Sequence, residues 1–299
     1  MELIRKGKVK DVYDNGNSLI FRFSDRISVF DKIIPVMIPN KGESVCRTSA
    51  YWFQIVEKEL GIKTHFLKLI NGSEMEVKKF RVDESGGSKF WVNYLIPLEF
   101  VMRHYAAGTL IDRIKGGKID KSDLGMNRIP QPGERLDEPF FEMTTKFEKT
   151  DRPLNFQEAS EIGGITTEEI YKIKETILKI DRKIEKEVAK RNLIHADGKK
   201  EFAMGEGRDI VIVDTFGTAD EDRFWELDQY EKGRIVELSK ESVRKYYRDN
   251  GYHDRLYKAR ESGTVEPEID PLPENLISST SDLYKTMFER ITGEKWRGY

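Results

Sequence analysis

Apolar residues recur at every third or fourth position through Ile170, Ile173, Ile177, Ile180, Ile184 and Val188, which stripes one face of a helix of about five turns before the pattern is lost at Asn192. Thr166 and Glu169 have capping-box spacing and set the helix start at Thr166 or Thr167. Residues 44–60 carry a second stripe at Val45, Trp52, Ile55, Val56 and Leu60, with Gly61 placed to cap the C-terminus. Near the N-terminus, residues 3–5, 9–13 and 18–23 read instead as short strands. The last two join through Asp14-Asn15-Gly16-Asn17, a strong hairpin signal. Residues 24–31 are expected to form a loop. Strands are predicted over 64–70 and 75–82, and residues 90–105, broken by Pro97, read as two strands or one bulged strand. Residues 116–160 show little periodicity and read as a long loop. Later helices are expected over 239–250 and 281–292, joined by the proline- and acid-rich stretch 266–275. The sum is an α+β fold in two lobes, divided at the linker Asp83-Glu84-Ser85-Gly86-Gly87-Ser88. Residues 1–85 form the small antiparallel lobe with one helix, and residues 86–299 the larger α+β lobe.

The chemistry concentrates in residues 197–216. Gly205-Glu206-Gly207-Arg208-Asp209 reads as a turn and Ile210-Val211-Ile212-Val213 as a strand, so Glu201 and Asp214 lie about equally far from the turn on neighbouring strands. They should be opposed or diagonal. Like charges across a ladder cost a few tenths of a kcal/mol or more, so either water screens the pair or a cation is bound; magnesium carrying a nucleotide is the sharper reading. Gly7 bends the chain between two strands, where backbone amides, Lys8 and Lys10 can converge on a polyphosphate or simply form a surface hairpin. Neither G-x-x-x-x-G-K-[ST] nor G-x-G-x-x-G occurs. Lys78 and Lys79 alternate on a strand, which either sends one of them to the less exposed side, where an ammonium needs an anion, or makes them edge-strand lysines that block aggregation. In Arg103-His104-Tyr105-Ala106-Ala107-Gly108-Thr109 a strand ends in small residues and Thr109 can cap a short helix. Either this is an ordinary strand-to-helix turn, or its amides, its hydroxyl and Arg103 suit a phosphomonoester; the segment Asp220 to Trp225 either brings Arg223 to the same pocket or is a solvated acidic loop anchored by Phe224 and Trp225.

Charge and composition exclude other classes. With 51 basic and 53 acidic side chains the net charge is −2, which gives no bulk attraction to nucleic acid or an acidic membrane. The single cysteine, Cys46, allows neither an intrachain disulfide nor a CxxC site and reads as an inert core thiol in a reducing compartment. His65, His104, His195 and His253 lack H-x-x-x-H or H-x-E spacing, which argues against zinc. No G-x-S-x-G elbow is present. The start Met-Glu-Leu-Ile-Arg-Lys has no apolar signal core and no apolar run approaches the roughly 18 residues of a membrane span, so a cytoplasmic protein is expected.

Taken in order, Gly7-Lys8-Val9-Lys10-Asp11-Val12-Tyr13, Ser24-Asp25-Arg26-Ile27-Ser28-Val29-Phe30-Asp31, Arg103 to Thr109, Lys199-Lys200-Glu201-Phe202, and Asp214 through Arg223-Phe224-Trp225 resemble the SAICAR synthetases of purine biosynthesis. The resemblance spans residues 7–225. It implies an ATP-dependent ligase with its ATP cleft between the lobes: the carboxylate of CAIR attacks the γ-phosphate, and the amine of L-aspartate takes the acyl phosphate. It implies that Gly7, Lys8 and Lys10 cover the ATP phosphates, that Lys78 reaches them from the small lobe, and that Glu201 and Asp214 hold Mg2+. Arg103, Thr109 and Arg223 would hold the CAIR phosphate and its surroundings, Arg223 also counting with Lys8, Glu201 and Asp214 among the catalytic group. Asp25, Ser28 and Asp31 match a substrate-facing loop, and Thr145-Lys146 matches a segment near the substrates. The resemblance leaves a homo-oligomer open. Four departures stand out: Ala203 for glycine, Thr215 for glutamate, Thr109 for serine and Asp222 for serine. The last should add negative charge beside the phosphate site. The competing readings are a small-molecule kinase and a catalytically silent nucleotide-binding or scaffold protein.

Overall fold

The computed structural model describes residues 1–148 and 151–299; Lys149 and Thr150, inside the predicted long loop, lie outside the described residues. In chain order its strands and helices are β1 (Glu2–Lys6), β2 (Lys10–Asp14), β3 (Ser18–Phe23), β4 (Arg26–Val29), β5 (Lys32–Met37), α1 (Lys41–Leu60), β6 (Phe66–Asn71), β7 (Glu74–Lys78), β8 (Tyr94–Leu95), β9 (Leu98–Tyr105), α2 (Leu110–Lys115), β10 (Arg135–Thr145), β11 (Pro153–Leu154), α3 (Phe156–Gly163), α4 (Thr167–Ala189), β12 (Leu193–Met204), β13 (Ile210–Val213), β14 (Asp222–Glu226), α5 (Leu227–Tyr230), α6 (Glu241–Asp249), α7 (Tyr252–Ser262) and α8 (Glu274–Thr292).

The N-terminal meander forms as predicted and becomes part of an antiparallel sheet ordered β1-β2-β3-β7-β6. The predicted loop after it is instead the hairpin β4–β5. Its two-residue turn places Phe30 (φ 51) and Asp31 (φ 63) in the left-handed region, a primed-turn geometry usually signalled by Asn-Gly rather than Phe-Asp. Tertiary packing holds the turn, because the Phe30 ring lies 4.9 Å from that of His253 and 6.4 Å from that of Tyr257.

The second sheet runs β11-β10-β9-β12-β13, and β14 and β8 also pair with β12. Strand β12, twelve residues long, is therefore its axis. Much of the predicted long loop is β10 and α3. Pro139 sits where the β10–β9 register shifts between Arg135 and Phe140, and that interruption hides the period of two. Helix α4 starts at the Thr166 cap with both capping-box hydrogen bonds made, and all six stripe residues are fully buried. Helix α7 escapes the sequence pattern because it buries only Tyr252, Leu256 and Ala259. The two sheets meet where Ile212 donates to the Lys63 carbonyl (3.0 Å) and His65 donates to that of Ile212 (3.1 Å). Among the described residues no helix is long and apolar enough to cross a membrane.

Candidate functional site

A break along one edge of β12 creates the site. Strand β14 pairs with Leu193–Gly198 and β13 with Glu201–Met204, so the chain joining them, residues 214–221, leaves the sheet between the two ladders. It leaves at Asp214, whose φ of 63 suits aspartate better than most residues. The Trp52 indole N–H donates to the Gly217 carbonyl (3.0 Å). At Gly217 (φ 67) any Cβ would lie 2.5 Å from that indole, so glycine is required. Lys41, at the start of α1, pins the far end through Asp220 (2.5 Å).

Around the break, ammonium groups from three parts of the chain meet acids. Lys10 of β2 pairs with Asp214, and Lys146, just after β10, pairs with Glu201 and lies 3.9 Å from Asp214. Lys199 Nζ is 2.9 Å from Glu99 Oε1, 3.2 Å from Glu201 Oε1 and 3.4 Å from Glu221 Oε2. Glu201 sits opposite Val213, so Asp214 stands one residue past it, on the diagonal. Burial pushes the Asp214 carboxyl up, but Lys10, Lys146 and Lys199 overcome it and hold the group well below the usual carboxylate range. Burial opposes the Lys199 ammonium, yet Glu221, Glu201 and Glu99 keep its pKa well above normal. Glu99 goes the other way, raised because burial outweighs the attraction of Lys199. The Lys146 ammonium touches both members of the acidic pair, which defines a shared cation position between two hard oxygen donors and fits magnesium.

On the same face of β12 lies Asp197, paired in register with Arg103 on one side and Arg223 on the other. Asp197 Oδ2 accepts from Arg103 Nη1 (2.9 Å) and from Arg223. Glu142 takes Arg103 Nε (2.7 Å) and Arg113 (2.6 Å), while Glu237 takes Arg223 Nε (3.0 Å). The Arg223 guanidinium lies 3.1 Å from where a Cβ on Gly108 would be, beside a cleft of about 310 Å³ lined by Gly108, Asp112, Lys115, Trp225 and Glu237. Thr109 is exposed at the N-cap of α2, and its side chain makes no capping bond.

The other predicted residues are placed as follows. The Gly7 N–H donates to the Lys10 carbonyl (3.0 Å), and a Cβ at Gly7 would lie 2.6 Å from that oxygen, so the turn needs glycine. Lys8 pairs with Asp31 (2.8 Å), joining the glycine turn to the β4–β5 turn. Asp25 Oδ1 accepts the Gly42 N–H (2.9 Å) at the start of α1, and Ser28 is half-buried on β4. Two expectations are corrected. Lys78 and Lys79 are both exposed, because β7 ends at Lys78 and its inward positions belong to Met75 and Val77. Asp222 adds no charge to the arginine pocket, since its carboxylate lies on the opposite face of the sheet, against His195 (2.7 Å) and Lys200 (3.4 Å). Sequence reasoning missed Glu99, Glu221 and the roles of Asp197 and Lys199. The last two had a signal: Asp197, Lys199 and Glu201 alternate along one strand and so share a face.

Two antiparallel sheets that bring a lysine–carboxylate cluster beside an arginine pocket define a protein suited to phosphate-bearing small molecules. The family model described as SAICAR synthetase matches residues 3–259, and the chain belongs to that family. It is 61% identical over 298 residues to the phosphoribosylaminoimidazole-succinocarboxamide synthase of Thermoplasma acidophilum, covering 99% of this chain and 100% of that one. Among solved structures it is similar to a SAICAR-synthase from Saccharomyces cerevisiae complexed with SAICAR (TM-score 0.76, 23% identity, 98% and 95% coverage). It is also similar to a SAICAR synthetase in complex with ADP (TM-score 0.69, 26% identity, 98% and 99% coverage).

Proposed function

We infer that the lysine–carboxylate cluster and the arginine pocket divide the labour of one reaction. The enzyme is an ATP-dependent, amide-forming ligase of purine biosynthesis that joins CAIR and L-aspartate to give SAICAR, ADP and phosphate. The imidazole carboxylate of CAIR attacks the γ-phosphorus, ADP leaves, and an acyl phosphate forms. The aspartate amine, having lost a proton, then attacks the acyl carbon and phosphate departs. Such chemistry asks the protein mainly for positioning and positive charge.

In this reading Gly7, Lys8 and Lys10 cover the ATP phosphates and Lys78 approaches from the end of β7. Arg103, Thr109 and Arg223 hold the ribose phosphate of CAIR, while Asp25, Ser28, Asp31 and Lys146 face the substrates. Glu201 and Asp214 would hold Mg2+, which when bound neutralises charge on the phosphate oxygens. Residues 1–85 act as the ATP-covering lobe and 86–299 as the substrate lobe. A cytoplasmic location and a homo-oligomer are both compatible with this reading. The observation that carries it is the single cation position shared by Glu201 and Asp214. A coupled ADP-release assay with CAIR and aspartate omitted in turn tests it. Full turnover should need both, whereas equal ATP consumption without aspartate, leaving a stable phosphorylated product, would make the protein a kinase.

A further inference from the structure

Behind the cleft, the other face of β9, β12 and β14 carries a second charged network, and this one is sealed from solvent. Asp181 of α4 places Oδ1 2.5 Å from Lys200 Nζ and Oδ2 3.0 Å from His104 Nε2. Lys200 Nζ also donates to Asp222 Oδ2 (3.4 Å), which lies 2.7 Å from His195 Nε2, while Asp222 Oδ1 accepts the Gly217 N–H (3.0 Å). None of the five side-chain-bearing residues is more than 5% exposed. Each strand thus alternates between the two networks: His104 follows Arg103, Lys200 precedes Glu201, and Asp222 precedes Arg223. The register shift between His195 and Asp197 turns His195 to the buried side. Gly198 makes the room, because a Cβ there would lie 2.2 Å from Asp222 Oδ2 and 2.8 Å from Lys200 Nζ.

Buried ion networks rarely stabilise a fold more than apolar side chains of the same volume would, and the reaction as assigned leaves these charges without a task. Burial works against the His195 imidazolium, and the carboxylates of Asp222 and Asp181 more than offset it. Burial likewise opposes the Asp181 carboxylate, and Lys200 and the two histidines outweigh it. A metal is the competing occupant, since ligand atoms of His104, Asp181 and His195 lie within 4.8 Å of one another. The Lys200 ammonium, however, already fills the cationic position beside Asp181.

We propose that Lys200 and Asp222, backed by Asp181 and His195, are positioning residues that lock β14 against β12 so that Arg223 and Arg103 converge on Asp197 with the separation a sugar phosphate requires. Register is what such a lock protects, because a one-residue slip of β14 would turn Arg223 inward and Asp222 into the cleft. The proposal rests on the assignment of the CAIR phosphate to Arg103 and Arg223.

The test pairs the double variant Lys200→Met/Asp222→Asn, which removes the charge pair at nearly constant shape, with Arg223→Ala as a check on the underlying site. The double variant leaves the buried Asp181 carboxylate without the ammonium 2.5 Å away, so it should fold with a lower Tm, and the decisive readout is a KM for CAIR raised about tenfold with a KM for ATP within about twofold. A folded double variant with an unchanged KM for CAIR, beside an Arg223→Ala enzyme whose KM rises, overturns the positioning role and leaves the phosphate site standing. An unchanged KM in Arg223→Ala instead removes the phosphate site and the proposal together. If the double variant does not fold, the imidazole nitrogen resonances of His195 in the parent protein decide: titration with ribose 5-phosphate should shift them, and no shift refutes the coupling. Stoichiometric metal surviving dialysis against a chelator would also overturn the proposal.

Discussion

At one end of the site the ammonium groups of Lys10, Lys146 and Lys199 meet the carboxylates of Glu99, Glu201, Asp214 and Glu221; at the other, the guanidinium groups of Arg103, Arg113 and Arg223 meet those of Asp197, Glu142 and Glu237. The inventories are similar and the behaviour is not. Arg103 and Arg223 each engage two acids through a planar fork, which fixes their direction before any ligand arrives. Lysine ammonium groups are point charges on flexible stems, and Lys146 must surrender its place between Glu201 and Asp214 if a divalent ion is to enter. In the proposed function, then, the arginine end serves recognition and the lysine end supplies charge that moves. The first should govern KM for CAIR and the second kcat.

The largest expected effect breaks the lysine end. Asp214→Asn should lower kcat about a thousandfold, because it removes one of the two acids that share the cation and keeps the shape, and it should lower Tm at neutral pH as well, because the charged carboxylate stabilises the fold there. Asparagine is the cleaner choice over alanine, since alanine at a φ of 63 adds about 1 kcal/mol of backbone strain. A kcat within tenfold of the parent would deny Asp214 its role. The next effect belongs to the arginine end. Arg103→Ala should raise KM for CAIR by about 2 kcal/mol, roughly thirtyfold, and leave KM for ATP within about threefold. A loss of kcat at constant KM would show that the two ends are not separate.

Much of this contrast was legible in the sequence, and what was not has physical causes. The α4 stripe, the hairpin bearing Glu201 and Asp214, and the strand end at Arg103 all follow from local periodicity and turn chemistry. The β4–β5 turn did not, because its left-handed Phe30 and Asp31 are held by the distant rings of His253 and Tyr257 rather than by turn-forming residues. The same holds for the buried half of the charge: Asp181 sits on a helix whose pattern reads as purely apolar, and only the packing of α4 on β12 reveals why an acid is tolerated there. Thr215, standing where the resemblance leads one to expect glutamate, instead donates from its hydroxyl to Glu221 Oε1 (3.3 Å), so at this point an acid comes from later in the loop.

A smaller effect sharpens the recognition end. Thr109→Val removes an exposed hydroxyl that makes no capping bond in the protein itself, so its cost should appear only when the phosphate is bound. KM for CAIR should rise by about 1 kcal/mol, roughly fivefold, with Tm unchanged. A fall in Tm would mean that the hydroxyl supports α2 rather than the ligand.

The smallest effect concerns stability rather than rate and asks whether the lysine end carries an electrostatic cost. Asp214, held below its usual 3.8, contributes stability that is fully present above that value and is lost only as pH falls through its folded pKa. Lys199, held above its usual 10.5, contributes stability fully present below that value and lost only as pH rises through its folded pKa. Between those limits both contributions are constant. Glu99 is the exception: its folded pKa is raised above the usual 4.5, so the unfolded chain gives up that proton first and stability declines as pH climbs from 4.5 to the folded value. Glu99→Gln abolishes this titration. Urea unfolding of the two proteins across the acid range should show the difference shifting in favour of the variant as pH rises past 4.5 and then levelling. A difference independent of pH would mean that Lys199 fully compensates the burial of Glu99, and that the lysine end, like the arginine end, is electrostatically at rest before its ligands arrive.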